Sequence, residues 1–77
     1  MKVTYDREVD AAYIELVETG PGEAVEQRVF EIPPETEMIL DLDRNGFLLG
    51  VELLGASKVL RSELLARGEE ELDRETP

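Results

Sequence analysis

The sequence predicts an α+β domain, an antiparallel β-sheet of about four or five strands followed by one C-terminal amphipathic helix. Three features point there. Short alternating apolar and polar runs, broken by Gly, Pro and Asn-Gly, fill residues 2–54. Asn45-Gly46 separates two apolar runs, a hairpin signature because both residues take positive φ at little cost. After Gly55 the period changes, and Val59, Leu60, Leu64 and Leu65 fall at helical spacing.

The first expected strand is 2–5, with Val3 and Tyr5 on one face. The polar stretch 6–10 turns the chain into a second strand, 11–17. There Ala12, Ile14 and Leu16 share one face and Tyr13, Glu15 and Val17 the other. Thr19-Gly20-Pro21-Gly22 breaks the pattern. Residues 23–32 change parity between Val29 and Phe30, which predicts a strand carrying a bulge, ended by Pro33-Pro34. The fourth strand is 38–42 and the fifth 47–54. Phe47, Leu49, Val51 and Leu53 lie on one face of the fifth, Leu48 and Leu54 on the other. A strand apolar on both sides calls for two covers. The C-terminal helix is expected to supply one and a second copy of the protein the other. Ser57 is the expected helix cap and Gly68 its stop. Residues 1–68 are then one domain and 69–77 an acidic, disordered tail.

The chain has 77 residues, enough for one small core and marginal stability. It has no Cys and no His, so disulfides, thiolate metal sites and His- or Cys-based nucleophilic catalysis are excluded. Oligomerisation is the remaining way to add buried surface, and a homodimer is expected. Nineteen Asp and Glu against eight Lys and Arg give a net charge of −11. Phosphate contacts need clustered Lys and Arg, so neither nucleic acid nor membrane is an expected partner, and a basic protein is. The opening MKVTYDREVD lacks the apolar segment of a secretory signal, and no run is long enough to span a bilayer. A cytoplasmic location is therefore expected. One Asn, one Gln and no Cys fit a heat-adapted source.

Tyr5-Asp6, Asp10-Ala11 and Tyr13-Ile14 resemble the opening motif of DUF2283, a family of small bacterial and archaeal proteins of unknown function. Asp41-Leu42-Asp43, Gly46, Gly50-Val51-Glu52 and Ala56-Ser57 are similar to its second half. The resemblance covers roughly residues 1–57. Ala12 departs from the usual Leu, and the middle segment with Pro33-Pro34 is long. The resemblance implies a small β-rich fold with a trailing helix and no assigned activity or catalytic residue. Some members sit beside small toxin-like proteins, which implies an antitoxin-like role.

Asp41, Asp43, Asn45, Gly46 and Glu52 fit the calcium-loop spacing D-x-[DN]-x-[DN]-G-x5-E. A calcium-binding EF-hand needs a helix on each side, whereas the flanks here read as strands, and Leu49 stands where a polar ligand belongs. Asp41, Asp43 and Glu52 are the candidate divalent-cation ligands, with Asp43, Asn45 and Gly46 serving the turn as the plainer reading. Tyr5, Asp6, Asp10 and Tyr13 form a second set, able to hold a cation or to act as acid and base, with turn hydrogen bonds for the Asp residues and core packing for the Tyr residues as the plainer reading. Glu52 sits within an apolar strand and calls for a cationic partner among Arg28, Lys58 and Arg61. No cofactor and no catalytic residue are expected. The best-supported role is a non-enzymatic, homo-oligomeric, acidic binding module for a basic protein. The alternative is a cation-binding protein or metal-assisted enzyme built on Asp41, Asp43 and Glu52.

Overall fold

The structure, a computed structural model, describes residues 1–75. Five strands form one antiparallel sheet: β1 (Lys2–Asp6), β2 (Ala11–Glu15), β3 (Glu26–Ile32), β4 (Thr36–Leu42) and β5 (Leu48–Leu54), in the order β1-β2-β5-β4-β3. A 3-10 turn, η1 (Ala56–Lys58), and one helix, α1 (Ser62–Glu75), complete the fold. The α+β architecture is the expected one. Hairpins join β1 to β2, β3 to β4 and β4 to β5, while residues 16–25 carry the chain from β2 to the far edge.

Alternation sorts the side chains into two faces. Register aligns Tyr5, Ala12, Leu53, Met38 and Phe30 across the sheet, and beside them Val3, Ile14, Val51, Leu40 and Arg28. This is the apolar face. Tyr5, Ala12, Leu53 and Ala56 form its buried cluster, with Ile14, Met38, Val51, Leu60 and Leu65 packed around it. The opposite face carries the rows Thr4-Tyr13-Glu52-Ile39-Val29 and Lys2-Glu15-Gly50-Asp41-Gln27. Both η1 and α1 contribute to the apolar cluster, so neither covers this second face.

The helix differs from expectation. It starts at Ser62, not Ser57, and runs through Gly68 to Glu75. Gly68 is a point of close approach rather than a stop: a Cβ there would lie 2.8 Å from Tyr5 Cβ and 3.0 Å from Tyr5 N. Only glycine lets the helix sit this close to β1. Residues 69–75, expected as a tail, are helical and held by ion pairs of Glu75 with Lys2 at 3.5 Å and of Glu71 with Arg74 at 3.1 Å. Residues 76 and 77 of that expected tail lie outside the described residues.

The helix packs along β1 at one edge of the sheet, rather than over β5. Leu53 is buried in the cluster with Ala56, against which Leu60, ahead of the helix, and Leu65, in its first turns, pack. The third strand also departs from expectation. From Glu26 to Ile32 its register against β4 is unbroken, and the irregularity falls at Asp41/Leu42 against β5. The parity change at Val29 and Phe30 has another cause: β3 is an edge strand exposed on both faces, with Val29 at 55% and Phe30 at 48%.

Replacing Gly68 with Ala tests the close approach. In an open helix the change stabilises by about 1 kcal/mol. Here overpacking costs about 1–3 kcal/mol, so Gly68→Ala is expected to lower the urea midpoint. A raised midpoint would contradict the packing described.

Candidate functional site

Asp10 occupies the turn between β1 and β2 with φ of 53°, a left-handed conformation that Asp tolerates better than most residues. The turn aims both its carbonyl and its carboxylate at the chain leaving β5. The carbonyl accepts from Gly55 N at 2.9 Å and Ala56 N at 3.0 Å. Oδ1 accepts from the Tyr5 hydroxyl at 2.6 Å and from Ser57 N at 2.9 Å. Oδ2 accepts from Ser57 Oγ at 2.7 Å. The Tyr5 and Ser57 donors hold the Asp10 carboxyl below its usual range, against the opposing effect of burial. The same hydrogen bond to Asp10, with burial and the Asp10 charge, pushes the Tyr5 phenol up to about 12.

A second tyrosine–carboxylate pair lies on the opposite face. Tyr13 crosses over β5 and donates to Asp41 Oδ2 at 3.0 Å, and Gln27 Nε2 donates to Asp41 Oδ1 at 2.9 Å. Gly50 makes the crossing possible, since a Cβ there would lie 2.6 Å from Tyr13 Cζ and 3.0 Å from Ile14 O. Burial, then the bond to Asp41 and the charges of Asp41, Glu15 and Glu52, push the Tyr13 phenol up to about 12.

Tyr5, Asp6, Asp10 and Tyr13 do not come together as one site. Tyr5 and Tyr13 stand on opposite faces, and Asp6 Oδ1 accepts from Glu8 N at 3.0 Å within its own turn. Of the calcium-loop set, Asp41 and Glu52 share the open face. Asp43 turns its Oδ1 to Asn45 N and Phe47 N, each at 2.9 Å, and its carbonyl accepts from Gly46 N at 3.0 Å. Gly46 supplies the positive φ of 85°. Among the described residues no group of three or more Asp, Glu, His or Cys is placed to hold a metal ion. Glu52 is half-buried on the open face and makes no ion pair among the described residues; Arg28, a candidate partner, binds Glu26 at 2.8 Å instead.

The open face is acidic. Its strand positions include Asp6, Glu15, Glu31, Glu37, Asp41 and Glu52 against Lys2, and Lys2 is drawn to Glu75. Half-buried Tyr13, Ile39 and Leu54 lie among these carboxylates. Sequence reasoning missed Gln27 as a partner of Asp41 and Ser57 as a partner of Asp10. Ser57 lies 47 residues from Asp10, and no local pattern marks such a bond.

A family model described as "Protein of unknown function (DUF2283)" matches residues 2–57, more than half of the chain. The chain belongs to the DUF2283 family. No curated protein and no solved structure matches it. The span that matches DUF2283 ends at Ser57, the residue that closes onto Asp10, and α1 lies beyond it. Among the described residues no helix is long and apolar enough to cross a membrane.

A carboxylate with a depressed folded-state pKa contributes stability above its unfolded value, and that contribution is lost as pH falls through the folded value. Asp10→Asn is therefore expected to lower the melting temperature at neutral pH. Its deficit against wild type should shrink as pH drops below 3.8, the ordinary Asp value. Melts from neutral pH downward check this, and a deficit independent of pH would mean that the Asp10 charge contributes nothing. For Tyr5 the sign is reversed. Its contribution is present below pH 10.0 and is lost as pH rises through about 12.

Proposed function

We propose that this DUF2283 domain is a non-enzymatic, homo-oligomeric, acidic binding module that docks a basic protein on its open sheet face and acts in the cytoplasm. The observation that carries the reading is that face itself, with its carboxylates around Tyr13, Ile39 and Leu54 and, among the described residues, no helical cover. Such a surface offers apolar contact at its centre and long-range attraction to cations at its rim. The helix is acidic too, but Glu75 and Glu71 are paired with Lys2 and Arg74. Both phenols are pushed up to about 12 and the Asp10 carboxyl is held below its usual range, so these pairs are poorly tuned for proton transfer near neutral pH, which supports a binding role over catalysis. Sequestration of a small basic protein is the form that an antitoxin-like role takes on this surface.

Titration of the isotope-labelled chain with a short Lys- and Arg-rich peptide tests the reading. At low ionic strength, amide shifts are expected to gather on β4 and β5 around Glu37, Asp41 and Glu52. They should disappear at about 0.5 M salt, where screening acts within a few Å. Glu37→Gln combined with Glu52→Gln should weaken binding about tenfold. Shifts confined to α1, or none, would overturn the reading. Ca²⁺ and Mg²⁺ serve as controls: specific shifts at Asp41, Asp43 and Glu52 would assign these carboxylates to a cation instead.

A further inference from the structure

Among the described residues β3 is an edge strand whose one sheet neighbour is β4. Edges of this kind are templates for another strand unless something blunts them. Residues 25–29 read Val25-Glu26-Gln27-Arg28-Val29, a run with mirror symmetry in its chemistry. Valine stands at both ends and glutamine at the centre, with opposite charges at the mirrored positions. Val25 and Val29 are 57% and 55% exposed, and Glu26 and Arg28 pair with each other along the strand at 2.8 Å.

We propose that two copies of this chain pair antiparallel through β3, about a two-fold axis at Gln27, to form one ten-stranded sheet. This rests on the homo-oligomeric part of the proposed function and names its surface. In that register Glu26 faces the partner's Arg28, Arg28 faces the partner's Glu26, and Gln27 faces the partner's Gln27. Each Val25 lies opposite the partner's Val29. Opposite-charge and apolar pairs directly across strands are favourable, and like-charge pairs are not.

The alternatives next to this register are worse. Moving the axis to residue 28 sets Arg28 against the partner's Arg28, and moving it to residue 26 sets Glu26 against the partner's Glu26. With the axis at Gln27, pairing extends to Ala24 opposite the partner's Phe30, and Phe30 is 48% exposed. It ends where Glu23 meets the partner's Glu31. A two-fold axis normal to the sheet keeps both acidic faces on the same side, so the docking surface becomes continuous across the dimer.

Sedimentation over a concentration series tests this with full-length chains. Wild type is expected to be a dimer. Glu26→Arg alone and Arg28→Glu alone each replace both cross-strand ion pairs with like-charge pairs and should weaken the dimer about tenfold or more. The double variant E26R/R28E restores opposite charges at each pair and should regain the wild-type constant. An equimolar mixture of the two single variants should form a heterodimer, which shows that each folds. A dimer insensitive to these changes, or single variants that are not rescued by each other, overturns the β3 interface while leaving homo-oligomerisation intact. A wild-type monomer overturns both.

Discussion

The rest of this molecule depends on how Asp10 holds the chain as it leaves β5. One residue, in a left-handed turn, ties Gly55, Ala56 and Ser57 to the β1–β2 hairpin and engages the Tyr5 hydroxyl as well. The segment after β5 is thereby drawn back across β2 toward β1. Leu60 and Leu65 then close the apolar cluster, and α1 settles along β1 with Gly68 against Tyr5. A chain of this size has one helix to spend as a cover, and the Asp10 bonds direct it to one edge. Among the described residues the opposite edge and the second face are left without helical cover.

The residues that carry the DUF2283 resemblance acquire structural roles. Tyr5, Asp10 and Ser57 are one hydrogen-bonded group on the helical side. Tyr13, Asp41 and Gly50 are one crossing on the open side, with Gly50 leaving room for the phenol. Asp43 and Gly46 make the β4–β5 turn. Each of these has a structural role: Asp10 and Asp43 hold backbone N–H groups, and the Tyr13–Asp41 bond ties β2 to β4 across β5. What they build is a flat molecule, 34 × 34 × 17 Å, whose sheet has an apolar side, an acidic side and an exposed edge at β3.

The sequence made some of this legible. Asn45-Gly46 between apolar runs marked the β4–β5 hairpin, and alternation located all five strands within a few residues, because turn chemistry and side-chain parity are local. The helix boundaries were not legible. Gly68 looks like a stop by propensity, yet its role is set by Tyr5, which is remote in sequence. Ser57 looks like a cap, yet it is held by Asp10 across the fold. The parity change in β3 suggested a bulge because both faces of a strand were assumed to need sorting; an edge strand exposed on both sides escapes that constraint. The calcium-loop spacing failed for a related reason. Periodic carboxylates converge in a helix-flanked loop but are divided between turn and face when strands flank it.

Amide hydrogen exchange on the folded chain is the direct measure of the Asp10 lock. Gly55, Ala56 and Ser57 lie in or beside a short 3-10 turn, where exchange is ordinarily fast, yet their N–H groups all donate to Asp10. They are expected to be protected nearly as well as the β2–β5 amides. In Asp10→Ala the Ser57 amide, whose acceptor is the carboxylate, should lose that protection, while Gly55 and Ala56, whose acceptor is the backbone carbonyl that alanine keeps, and the β4 amides retain more of theirs. Exchange of these three at the rate of an open loop in the unaltered chain would contradict the lock, and with it the reason the helix lies on β1.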